Sequence, residues 1–143
     1  MIVLDTTVLV YAKGVDHPLR EPCRTLVDAV ARRDIAATTT VEVIQEFAHV
    51  RARRHGRADA AQLASDYADL LAPLVQVTPA HLADGLALFS RHPGVGAFDA
   101  VLAAAALAIG ADALLSADAG FSQLPRLPHI VPTKDGIAEL LAR

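Results

Sequence analysis

Apolar and polar positions alternate along this chain in blocks that switch between short runs and helical spacing. Met1–Leu4 is a short apolar run that predicts a buried strand ending at Asp5, with a helix following over about Thr7–Ala12. Gly14 and His17–Pro18 mark a turn. Apolar Leu26, Val27 and Val30 then give Leu19–Arg33 a helical pattern. Ile35–Thr38 reads as a second strand. Thr39 or Thr40 can cap the next helix, where Val41, Ile44, Phe47, Ala48 and Val50 recur at threes and fours until RARRHGR stops it near Gly56. A helix over about Ala58–Leu71, a strand at Leu74–Thr78 and a helix from Pro79 to about His92 follow. After the loop HPGVGAFD, the Ala-rich stretch Phe98–Ile109 predicts a strong helix closed by Gly110. Ala113–Ser116 reads as a strand and ADAGF opens a short helical turn to about Leu124. His129–Pro132 is expected as an edge strand and Asp135–Leu141 as a closing helix. Strands alternating with helices predict an α/β fold, a parallel sheet covered on both faces. No internal repeat, linker or low-complexity tract divides residues 1–143, so one domain is expected.

Composition narrows this picture modestly. A hydrophobic share of 53% with 20% charged residues describes a core-rich globular chain. The longest apolar run, Ala100–Ile109, is about half the ~20 residues of a membrane span, so no membrane association is expected. MIVLD lacks a basic leader and Cys23 is the only cysteine, which together lead to an expected cytoplasmic location. The six histidines form no HxxxH or HxH pair, which disfavours a zinc enzyme. A net charge of −3 gives no general affinity for nucleic acid. The candidate chemistry lies in particular carboxylates.

In open parallel sheets, sites form beyond the carboxyl ends of strands. Asp5 follows the first strand directly, and Asp118 follows Ala113–Ser116 after one intervening residue. Either could simply cap a helix. Asp99 opens the Ala-rich helix, where capping and metal ligation are compatible because a carboxylate has several lone pairs. Glu42 and Glu46 share one helix face. If Thr39 is the cap, Thr39-x-x-Glu42 is a capping box that occupies Glu42, and Glu46 is favoured for the site. Clustered acids without a matching Lys or His need a cation, and an all-oxygen set selects Mg²⁺ or Mn²⁺. Mg²⁺ commonly takes its remaining contacts from phosphate, which points to a phosphodiester substrate.

These motifs resemble those of PIN-domain nucleases, specifically the VapC-type toxins of toxin–antitoxin pairs. MIVLDTTVLVYA is similar to the family's opening strand and its acid. TTTVEVIQEFAHV is similar to the second motif, with Glu46 as ligand. FDAVLAAAALAIGADALLSADAGF is similar to the third and fourth, with ligands at Asp99 and Asp118. The resemblance covers nearly the whole chain. It implies a three-layer α/β/α PIN-like fold and Mg²⁺ (or Mn²⁺) held by Asp5, Glu46, Asp99 and Asp118. It further implies endoribonuclease action leaving 5′-phosphate and 3′-hydroxyl ends, a VapB-type antitoxin, a homodimer, and a tRNA or rRNA loop as target. Thr6 stands where the family often has a hydroxyl, and could equally be a helix cap. Arg51, Arg53, Arg54 and Arg57 continue the Glu46 helix and could track an RNA backbone, although cations at a helix C-terminus also offset its dipole. Arg91 and His92, beside the glycine loop, are candidates of the same kind.

Two other readings compete. A PIN-like module that binds RNA or protein without catalysis should have lost acids, and this chain has the full set. An aspartyl-phosphate phosphatase wants a second Asp two residues after Asp5, where Thr7 stands, and a receiver domain wants an acid at Leu74–Thr78, which offers none.

Overall fold

The computed structural model describes residues Met1–Arg143. Four short strands form one all-parallel sheet: β1 (Ile2–Leu4), β2 (Ala37–Thr38), β3 (Ala113–Leu115) and β4 (His129–Ile130), in the order β2-β1-β3-β4. Every residue of β1 and β3 is buried. Successive side chains point to opposite faces, so both faces of the sheet centre are covered by helices, as an α/β/α arrangement requires. One hydrophobic core runs from Ile2 to Leu140.

Seven helices complete the fold: α1 (Thr6–Ala12), α2 (Arg20–Ala31), α3 (Val41–His55), α4 (Arg57–Leu70), α5 (Pro79–Arg91), α6 (Ala97–Ala108) and α7 (Lys134–Leu141). Gly56, at φ +84°, ends α3 and starts α4 with no loop between them, a backbone conformation that suits glycine. Helices α5 and α6 pack closely because Gly85 has no side chain. A Cβ there would lie 2.6 Å from Val101 Cα.

Three expectations need correction. Leu74–Thr78 is not a strand: only Val75 forms a bridge, to Thr40, with its N–H donating to the Thr39 carbonyl at 2.9 Å. The chain it would pair with turns into α3 at Val41, so the ladder has nothing to extend along. The edge strand stops at Ile130 rather than running to Pro132, which lacks the N–H a ladder needs. Of the two caps the sequence allows, Thr40 is the one that starts α3, accepting from Val43 N at 3.2 Å. Thr39 is buried beneath β1, its hydroxyl donating to Leu4 O at 2.6 Å. The capping box that was to occupy Glu42 therefore does not form.

The sheet's topology locates a crevice. From β1 the chain crosses to β2 on one side, whereas β3 and β4 lie on the other. Beyond the carboxyl ends of β1 and β3 the connections diverge, and a ligand can enter between them.

Candidate active site

Asp5 leaves β1 at this switch point and is only 4% exposed. Its N–H continues the ladder to Leu115 O at 2.9 Å, so its position is set by sheet pairing. It occupies the cap position of α1, yet its side chain caps nothing. Instead Oδ2 accepts from Ser116 Oγ at 2.7 Å and from Thr7 Oγ1 at 3.0 Å. Both hydroxyls fall on one oxygen, which leaves Oδ1 without a protein hydrogen-bond partner.

Ser116 and Thr7 bind the next acid into the same frame. Ser116 Oγ accepts from Asp118 N at 3.0 Å, and Thr7 Oγ1 accepts from Ala117 N at 2.9 Å. The residues between β3 and Asp118 are thus fastened to Asp5 and α1. Asp118 caps a 3₁₀ turn at Ala119–Gln123, its Oδ1 accepting from Gly120 N at 2.8 Å. Gly120 lets the loop before α6 come close, since a Cβ there would stand 2.6 Å from Gly94 O. That contact brings the start of α6, and with it Asp99, towards Asp118. Asp99 is the third residue of α6 rather than its cap, which is Gly96.

Glu46 comes from α3, where its Oε2 accepts from Thr6 Oγ1 at 2.8 Å. The four acids and Thr6 line one cleft of about 310 Å³, together with Thr7, Val10, Tyr11 and Val50. No lysine, arginine or histidine lines it. The electrostatic result appears at Asp99, whose carboxyl is pushed up to about 7, first by burial and then by repulsion from Asp5, Asp118 and Glu46. A site that raises a carboxylic acid this far would gain from a bound cation.

No group of three or more His, Cys, Asp or Glu side chains is drawn tightly enough to enclose a metal ion directly. The donor set still suits Mg²⁺, which is commonly held by one or two carboxylates and keeps several waters. The wider ring of acids matches such a hydrated ion better than a bare one.

The remaining candidates separate. Arg51 is committed to structure: Nε donates to Asp59 Oδ1 at 2.6 Å and Nη1 to Lys13 O at 2.9 Å, joining α3 to α4 and α1. Arg53 is exposed and lines neither the cleft nor the hollow beside it. Arg54 lines that neighbouring hollow. Arg91 lines a separate groove between α5 and α6, which it shares with Arg126. Glu42 does not line the cleft, and its Oε2 is enclosed without a hydrogen-bond partner. Sequence reasoning passed over Ser116 and Thr7. The signal was there in SAD and DTT, where a hydroxyl stands two residues from each strand-end acid.

Comparison with known proteins agrees with this fold. The PIN domain family model matches residues 2–127. The chain is 54% identical over 145 aligned residues to Ribonuclease VapC7 of Mycobacterium tuberculosis (strain H37Rv), covering 99% of this chain and 98% of that protein. Ribonuclease VapC23 of the same species is 36% identical over 69% of this chain and 78% of its own length. Among solved structures, the M. tuberculosis toxin VapC20, described as cleaving the sarcin–ricin loop, superimposes with a TM-score of 0.67 at 16% identity, covering 80% of this chain and 87% of its own. VapBC2 of Rickettsia felis, crystallised with a DNA fragment from its promoter, does so at 0.69 and 16%, covering 90% and 97%. The chain belongs to the PIN domain family, among its VapC-type ribonucleases.

Proposed function

We propose that this ribonuclease is a Mg²⁺-dependent endonuclease acting at Asp5, Glu46, Asp99 and Asp118, that Mn²⁺ can substitute, and that residues 1–143 form a single PIN domain. The observation that carries the reading is the cleft itself: four acids from four separate elements converge with no cationic side chain among them. Asp5, Asp118, Asp99 and Glu46 would hold the ion, directly or through water. When bound, a divalent cation lowers the pKa of a coordinated water and offsets charge on the phosphodiester. The protein's own part is positioning. Ser116 and Thr7 fix the direction of Asp5, Thr6 fixes Glu46, and the Gly94–Gly120 contact sets Asp118 beside Asp99. In the metal-free cleft burial and the neighbouring acids hold Asp99 up to about 7, and a bound cation would draw it to its ionised form.

This chain would then be the toxin half of a VapBC-type pair, blocked by a VapB-type antitoxin and acting as a homodimer in the cytoplasm. An rRNA loop or a tRNA is the substrate this setting favours. No helix is long and apolar enough to cross a membrane.

The test is cleavage of structured RNA by purified protein in EDTA, then with Mg²⁺, Mn²⁺ or Ca²⁺ restored. Internal cleavage leaving 5′-phosphate and 3′-hydroxyl ends, silent in EDTA and restored by Mg²⁺ or Mn²⁺, is expected. Cleavage that persists in EDTA would contradict the reading.

A further inference from the structure

Two helix ridges run out of the acidic cleft side by side. On α1 and its C-cap, Thr6, Val10 and Lys13 follow at spacings that keep them on one face; on α3, Glu46, Val50 and Arg54 do the same. The helices pack on each other. Val10 and Val50 line both the acidic cleft and a hollow beyond it, so the two depressions share a wall. Past the valines the charge reverses: Lys13, Arg54 and His55 line the hollow, and all three are exposed. Neither Lys13 nor Arg54 is in an ion pair, whereas Arg51, between them, is paired with Asp59. Arg51 acts here as a strut, because its bond to Lys13 O holds the end of α1 against the last turns of α3. Offsetting the α3 dipole would account for Arg53 and Arg54 alike, but not for a lysine brought in from another helix.

We infer that Lys13 and Arg54, with His55 beside them, form a phosphate-binding subsite that holds the RNA backbone beyond the scissile bond. The inference rests on the ribonuclease reading above. The hollow has room for about 30 Å³. That is one water's share of volume, enough for a single phosphate oxygen and far too little for a nucleobase. The contact would therefore be sequence-independent, fixing where the strand lies rather than which base is read. Along α3 the rise from Glu46 to Arg54 is roughly 12 Å. The subsite thus engages a phosphate further along the strand, and a minimal substrate would not reach it.

The experiment compares wild type with Lys13→Gln/Arg54→Gln and with Arg53→Gln, a cation on α3 that lines neither depression. Single-stranded RNA of about twenty nucleotides is bound in Ca²⁺ over a range of salt, and cleavage of that RNA and of a dinucleotide is followed in Mg²⁺. Loss of two phosphate contacts should flatten the affinity–salt slope by ~1.4, and weaken binding roughly 25-fold at about 0.1 M salt. KM for the long RNA should rise with kcat retained, while dinucleotide cleavage and the Arg53→Gln control stay at wild-type values. If wild type cleaves the long RNA but the double variant keeps its slope and KM, the subsite is refuted and the ribonuclease reading stands. If wild type cleaves no RNA, the underlying reading has failed. A double variant that handles RNA normally but loses affinity for an acidic antitoxin segment would assign the patch to protein binding and overturn the proposal.

Discussion

The two ends of the β-sheet both carry a depression, and the larger is not the proposed site. At the amino ends of the strands a pocket of about 670 Å³ is lined mainly by apolar side chains such as Ile2, Ile35 and Leu140. Its charges are largely matched: Arg32 pairs with Asp34 at 2.9 Å, and Asp112 with the Met1 amine. At the carboxyl ends the cleft is less than half that volume, yet it gathers four acids with nothing to neutralise them. Unmatched charge identifies a site of chemistry better than size does. A parallel sheet delivers strand-end residues to its carboxyl edge, where the chain leaves the ladder and side chains are free to converge.

The contrast is broken most severely at the acids. Asp99→Asn should reduce RNA cleavage by at least two to three orders of magnitude, the range for losing one preorganised group at a reacting centre. Arg32→Ala or Leu140→Ala, at the opposite end of the sheet, should leave kcat unchanged. An active Asp99→Asn enzyme would remove the distinction between the two ends. Next in size is Ser116→Ala. Ser116 is fully buried and holds both Asp5 and the Asp118 backbone. Groups that orient ligands in this way typically contribute 10- to 100-fold in metal affinity or activity. Stability should also fall by about 1–3 kcal/mol, because the Asp118 N–H and one Asp5 oxygen lose a partner. Calorimetric Mg²⁺ titration and denaturant melts of the variant would measure both.

A third effect is smaller and has a definite sign. Asp99 titrates near 7 in the folded metal-free protein and near 3.8 when unfolded. Between those values the folded state binds more protons than the unfolded state, so metal-free stability should fall as pH rises from about 4 to 7. Asp99→Asn should remove Asp99's contribution to that slope, and saturating Mg²⁺ should flatten it. Melting temperatures at several pH values, with EDTA and with Mg²⁺, would show it. The smallest effect is expected at Glu42, outside the cleft. Glu42→Gln should retain kcat within about twofold, whereas Glu46→Gln should not; an equal loss in both would move the fourth acid to Glu42.

Much of this was legible in the residues themselves. β1, β3 and α6 announce themselves because a buried parallel strand is a continuous apolar run and an alanine-rich stretch has little alternative to helix. Asp5 and Asp118 follow from strand ends. Glu46 is different: the capping argument that favoured it rested on Thr39, and the structure caps α3 with Thr40. What places Glu46 in the cleft is Thr6, on another helix, and no local pattern displays that bond. Arg51 fails for the same reason, since its commitment to Asp59 depends on how α3 and α4 fold back on each other. Leu74–Thr78 has a strand's composition but meets a neighbour that has already become helix. Local chemistry indicates what a segment can do, and its partners decide what it does.

The most direct test of the acidic end is calorimetry of Mn²⁺ or Mg²⁺ binding to the metal-free protein near pH 6.5. The account predicts saturable binding with proton release as Asp99 ionises, abolished or greatly weakened in Asp99→Asn and unchanged in Arg32→Ala. Equal affinity and equal proton release in wild type and Asp99→Asn would contradict it.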